Sequence, residues 1–172
     1  MRPLEAAGMA SPSDAPQLRP LLLHGAVAGI VGGILIDAFL YFATILPSHG
    51  SLGSIYQYIA SNAIGDSAFG SPNAVWLGAL MHFCISVAWG VGFAYAIATR
   101  ADVLSHPYLA GVVFGFLVQL VMQIVLAITG HYQKPTAPMF AGSFLAHTVF
   151  FGLPIALYFT AVLQRPGFAS NR

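Results

Sequence analysis

The sequence predicts an all-α polytopic membrane protein with four transmembrane helices, and two observations carry that expectation. Of its 172 residues 58% are hydrophobic and only 6% are charged, whereas an ordinary soluble domain is about a quarter charged. Six basic and five acidic side chains cannot cover the outside of a water-soluble domain, so lipid must be the solvent. The second observation is four apolar runs, near 21–46, 74–98, 108–129 and 140–163. Each is long enough to cross hydrocarbon, which takes roughly 20 residues of helix, and together they leave no length for a soluble domain.

Residues 1–20 are rich in Pro, Ala and Ser and lack the basic start of a signal peptide. They predict a disordered cytoplasmic tail followed by a retained first helix, with residues 164–172 as a second cytoplasmic tail. Arg2, Arg19, Arg100, Arg165 and Arg172 fall on one side of the four spans and only Lys134 on the other. The positive-inside rule then places both termini in the cytoplasm and the 47–73 and 130–139 loops outside. In the longer loop, Leu52, Ile55, Tyr56, Ile59 and Ala63 recur at helical spacing, which predicts a short interfacial helix acting as a cap. Gly65, Gly70 and Pro72 break the chain before the second span, and Trp76 stands where an interfacial aromatic belongs.

The spans carry glycine at four-residue steps, which puts small residues on one side of a helix and lets backbones touch. Gly25, Gly29 and Gly33 do so in the first span, Gly78 and Gly90 in the second, Gly111 and Gly115 in the third. Laying Gly25 on Gly111 also puts Gly29 on Gly115, and laying His82 on His147 aligns Gly78 with Ser143. The pattern predicts two tandem helical hairpins related by a pseudo-two-fold axis along the membrane normal.

The same stripes continue into polar residues: Asp37 in the first span, His82 and Ser86 in the second, Gln119 and Gln123 in the third, Ser143 and His147 in the fourth. The deepest of these stand about six to ten residues from the outer helix ends, roughly 9 to 15 Å at 1.5 Å per residue. An aspartate near the centre of a span costs at least ~2.5 kcal/mol on insertion scales, so Asp37 requires a partner, and the histidines are the candidates.

Several readings of this cluster stay open. It is hydrogen-bonding glue that fixes helix register, or a protonatable Asp–His site, histidine being the side chain that titrates between about pH 5 and 8. Otherwise His82 and His147 are axial ligands of a haem b, or metal ligands with Asp37 completing the set, or the hairpins enclose a lipid or quinone pocket walled by Trp89, Phe150 and Phe151. His24, His49, His106 and His131 fall near helix ends and in loops, where solvation is expected. Pro154 predicts a kink in the fourth span. Cys84 has no second cysteine to pair with.

No nucleophile-and-base or carboxylate-pair arrangement points to an enzyme, and a net charge of +1 excludes nucleic acid as a partner. The partners left are the bilayer, further copies of the chain, or a larger membrane complex in which this protein is an accessory subunit.

The chain resembles the YagU-like family of small bacterial inner-membrane proteins. The resemblance rests on Tyr58-Ile59-Ala60-Ser61 followed by Gly65 and Phe69, on Leu77-Gly78-Ala79-Leu80-Met81-His82-Phe83, on the Gly111 to Gly115 step, and on Leu145-Ala146-His147 with Gly152-Leu153-Pro154. It implies a multi-pass protein of the bacterial inner membrane and carries over no catalytic residues.

Overall fold

Proline and small capping side chains set where the helices begin. Pro72 and Pro107 open α3 (Pro72–Thr99) and α4 (Pro107–Ile128) at their first position, where a missing N–H costs nothing. Ser51 and Thr136 cap α2 (Leu52–Ile64) and α5 (Ala137–His147) by accepting from the N–H groups of Gly53 and Met139. With α1 (Leu18–Leu40) and α6 (Leu153–Leu163) these complete the helices, and no strand occurs among the described residues. The structure, a computed structural model, describes residues 18–132 and 134–164. The two expected tails lie almost wholly outside them.

Four helical segments are long and apolar enough to cross a membrane: Leu18–Ile45, Pro72–Thr99, Pro107–Ile128 and Ala137–Leu163. Their outward faces carry large exposed apolar side chains, such as Leu23, Val27, Ile30 and Ile34 on α1 and Val113, Leu117, Leu120 and Ile124 on α4, a surface that only lipid can solvate. The protein is a multi-pass membrane protein.

The first and last spans each contain one turn of π-helix, Tyr41–Ile45 and Thr148–Gly152. The second accounts for Pro154. A proline has no N–H for the carbonyl four residues back and its ring presses against it. The wider turn just ahead absorbs the misfit, with the Leu153 N–H reaching back to the Thr148 carbonyl. The expected kink is thus an inserted residue in the helix.

Backbone contact at glycine holds each hairpin together. A Cβ on Gly25 would meet the Gly90 carbonyl and Val91, and one on Gly29 would meet Ser86 and Val87. In the other hairpin a Cβ on Gly111 would meet Gly152 and Leu153, and one on Gly115 would meet His147 and Thr148. The contact pattern therefore repeats, and α1 and α4 run in the same direction, as a two-fold axis along the membrane normal requires.

The register of the repeat differs from the sequence alignment. Ser86, not His82, occupies the place of His147, and Gly90 that of Gly152. Four residue steps separate Ser86 from Gly90 and five separate His147 from Gly152. The extra residue is the π-turn.

Between the hairpins, Leu21, Ala28, Phe93, Ala94, Ile97, Phe151, Ile155 and Phe159 form the main apolar core. Phe93 stands at its centre, with ring centroids 4.7 Å from Phe114 and 5.8 Å from Phe159. Most of this core lies in the half of the bundle toward Leu18 and Leu163, and Ile36, Val118 and Phe151 carry it on to the wall of the cavity described below. The half toward the α1–α3 and α4–α5 connections, called here the loop end, is where the polar residues lie.

Helix α2 does not lie free on a surface. It packs against the first turns of α3, so closely that a Cβ on Gly78 would run into the Tyr56 backbone. Ala60, Ala68 and Ala74 form a small separate core beneath it. At the end of α4, the Gly130 N–H bonds the Ala127 carbonyl and the His131 N–H the Leu126 carbonyl, with Gly130 at φ 79°. This Schellman arrangement turns the chain sharply into the α4–α5 connection.

Candidate functional site

Residues four apart on a helix share a side, which is how α1 presents Gly33 and Asp37 together to α3. The Asp37 carboxylate sits 12% exposed, against a 13% exposed His82. Its Oδ1 is 3.3 Å from His82 Nε2, and its Oδ2 accepts a 2.7 Å hydrogen bond from the Tyr56 hydroxyl. His82 Nε2 also lies 3.3 Å from the Gly33 carbonyl. Carbonyl and carboxylate oxygens only accept, so Nε2 carries the hydrogen and shares it between two acceptors.

Tyr56 stands on α2, beyond the spans. Burial first, and then the hydrogen bond and the charge of Asp37, push its phenol well above the usual range. It stays protonated and remains a donor to Asp37. The next turn of α2 directs Ile59 into the wall of a cavity of about 80 Å³ that His82, Ser86, Trp89, Met122 and His147 also line.

His147 is held differently. Its Nδ1 donates 2.8 Å to the Ser143 carbonyl one turn back in its own helix, which fixes Nδ1 as the protonated nitrogen. Among the described residues, neither His82 Nδ1 nor His147 Nε2 has a hydrogen-bond partner in the protein. Each imidazole is thus tied by one nitrogen and has a second without a partner among the described residues, and both side chains line one cavity.

The predicted cluster is only partly assembled. Asp37 and His82 pair, and Ser86 and His147 join His82 around the cavity. Ser143 contributes its backbone carbonyl, which any residue would supply. Gln119 is 2% exposed and its Oε1 is buried without a partner. Gln123 is half-buried and makes no side-chain hydrogen bond among the described residues.

Two expected ligand sets do not fit. No group of three or more His, Cys, Asp or Glu among the described residues converges so as to hold a metal ion. Pockets for organic ligands run to about 300–1,000 Å³, so a cavity of about 80 Å³ does not accommodate a haem or a quinone. It has room for a few waters, each needing about 10–15 Å³ by this measure. Trp89 and Phe151 are walls as expected, but Phe150 turns away and stacks on Phe39 at 4.4 Å.

No family model, curated protein or solved structure matches the chain.

The site therefore rests on its own geometry, and three features of the protein escaped the sequence. The sequence reads Tyr56 and Ile59 as part of a surface cap, whereas in the structure they share one face of α2 and reach Asp37 and the cavity. His24 and His131 are not simply solvated: His24 Nδ1 is 2.6 Å from the Tyr158 hydroxyl, and His131 is largely buried, 3.8 Å from the exposed Asp66. Gly32 and Gly152 extend the glycine contacts to Phe151 and to Gly111.

Proposed function

We propose that this membrane protein carries a protonatable site between its two hairpins, with His82 as the group that gains and loses the proton and Asp37 as its fixed counter-charge. The observation that carries this reading is the division of labour on the His82 ring. Nε2–H is anchored to Asp37 and Gly33, while Nδ1 has no hydrogen-bond partner among the described residues and the His82 side chain lines a water-sized cavity. Adding a proton at Nδ1 creates an imidazolium beside a carboxylate, a pairing that offsets the cost of a charge in low dielectric.

The groups that would act on this proton come from the elements packed around His82. Helix α1 brings Asp37, α2 brings Tyr56, α5 brings His147, and α4 brings only neutral Val118 and Met122. An imidazolium at His82 would repel one at His147 across the cavity, so a single proton is the expected occupancy. We place the protein in the bacterial inner membrane with both termini cytoplasmic, supported by the arginine distribution and by the resemblance to the YagU-like family. The loop end, and with it the site, would then face outward.

The test is a pH titration of the ring carbon and nitrogen resonances of His82, with selectively labelled histidine and the protein in lipid nanodiscs. The reading expects a single reversible protonation transition of His82, altered in Asp37→Asn. A His82 signal that does not move with pH would refute it.

A further inference from the structure

Helix α2 carries the two contacts that connect the cavity to the loop end. Tyr56 and Ile59 are three residues apart on one face, one bonded to Asp37 and the other in the cavity wall. The rest of the helix is fastened elsewhere by polar bonds. The Thr129 hydroxyl donates 2.6 Å to Asn62 Oδ1, the Tyr58 hydroxyl donates 2.9 Å to the His131 carbonyl, and Gln57 Nε2 donates 3.0 Å to the Ser71 carbonyl. Only Ala60 and Ser61 of α2 are fully buried, and Leu52, Ile55, Tyr56, Tyr58 and Ile59 are half-buried, so α2 is less deeply set than the spans, its closest approach being the Tyr56 backbone against Gly78 of α3. Its flanks are left-handed: His49 at φ 54° precedes it, and Gly65 at φ 67° and Gly70 at φ 78° follow. A Cβ on either glycine would touch nothing within 4 Å.

We propose that α2 is the gate of the cavity, swinging on His49 and Gly65–Gly70 and latched to the α4–α5 connection by Asn62–Thr129 and Tyr58–His131. Opening would lift Ile59 from the wall and take the Tyr56 hydroxyl from Asp37 in one motion, so access and the electrostatics of the site change together. The purpose of the gate rests on the protonatable-site reading; its existence does not.

The experiment measures access directly. In a Cys84→Ser background, Asn62→Cys with Thr129→Cys allows the latch to be closed with a short bifunctional thiol cross-linker. The rate at which diethyl pyrocarbonate modifies His82 is then followed by peptide mass spectrometry, with exposed His49 and His106 as internal standards. The gate predicts that His82 reacts several-fold more slowly in the cross-linked protein than in the unlinked one. It also predicts that Thr129→Val, which keeps the side-chain volume and removes the latch hydroxyl, speeds the reaction in otherwise native protein. Equal rates in linked and unlinked protein, or no effect of Thr129→Val, would overturn it. A His82 that reacts with this dependence yet shows no pH transition would instead leave the gate standing and remove the protonatable-site reading.

Discussion

Asp37 Oδ1 and His82 Nε2 lie 3.3 Å apart, and the same carboxylate takes the Tyr56 hydroxyl on its other oxygen. One side chain thereby ties together α1, α2 and α3. In lipid this is the arrangement that a lone carboxylate demands, since no water is there to supply the donors.

The two donors make Asp37 a stability determinant whatever it does chemically. Asp37→Ala would leave the Tyr56 hydroxyl without its acceptor, at about 1–3 kcal/mol, and would leave the His82 Nε2–H only the Gly33 carbonyl. Asp37→Asn keeps one oxygen acceptor in the same place. Thermal unfolding in mild detergent should therefore show a clearly larger loss for Asp37→Ala than for Asp37→Asn. Equal losses would mean that the charge, and not the hydrogen bonds, holds the three helices.

How much of this could be read from the sequence follows from what lipid requires. Four apolar runs had to be spans, and an aspartate within one had to find a partner, so Asp37 and His82 were legible. Tyr56 was not, because its reach depends on how deeply α2 settles, which is set by the missing side chain at Gly78. The level of His147 was hidden for a different reason. Hydropathy cannot show a π-turn, and the single inserted residue at Thr148–Gly152 shifts the fourth span against the second, so matching the histidines to each other misplaced both.

The glycines supply a sharp internal contrast. A Cβ on Gly78, Gly90 or Gly115 would collide with the backbone of Tyr56, Gly25 or His147 respectively. A backbone, unlike a side-chain tip, cannot step aside, so each Gly→Ala change should cost about 1–3 kcal/mol or more. Gly92 and Gly142 are helical with nothing within 4 Å. Alanine there should gain about 0.5–1 kcal/mol from helix propensity. Melting temperatures of the five variants would separate into two groups, and a large loss at Gly92 or Gly142 would reveal a contact made with another chain.

Tyr56 predicts an alkaline signature. Its folded-state phenol titrates above the ordinary value of about 10, so between those two values the unfolded chain releases a proton that the folded protein keeps. Stability then falls as pH rises. The stabilisation is fully present below pH 10 and is lost above it. Tyr56→Phe removes this contribution, whereas burial raises Tyr58 equally in both proteins. The difference in unfolding temperature between wild type and Tyr56→Phe should be constant from about pH 7 to 9 and shrink beyond about pH 10. A constant difference throughout would mean that Tyr56 ionises in the fold as it does in the unfolded chain.

Gln119 separates hydrogen-bonding glue from a polar group kept for another reason. It is 2% exposed, and its Oε1 has no hydrogen-bond partner. A buried amide oxygen that bonds nothing costs about 1–3 kcal/mol by the mutational measure, and methionine has a similar unbranched shape without that cost. Gln119→Met should leave the unfolding temperature unchanged or raise it, because no protein hydrogen bond is lost while an unfavourable burial is relieved. A marked drop would show that the amide is satisfied by something other than this chain's own groups, such as a bound water. The protonation of His82 should in that case change in the same variant, since Val118 beside Gln119 lines the cavity that His82 faces. An unchanged His82 signal with a raised melting temperature would place Gln119 outside the site and leave Asp37, Tyr56, His82, Ser86 and His147 as its polar set among the described residues.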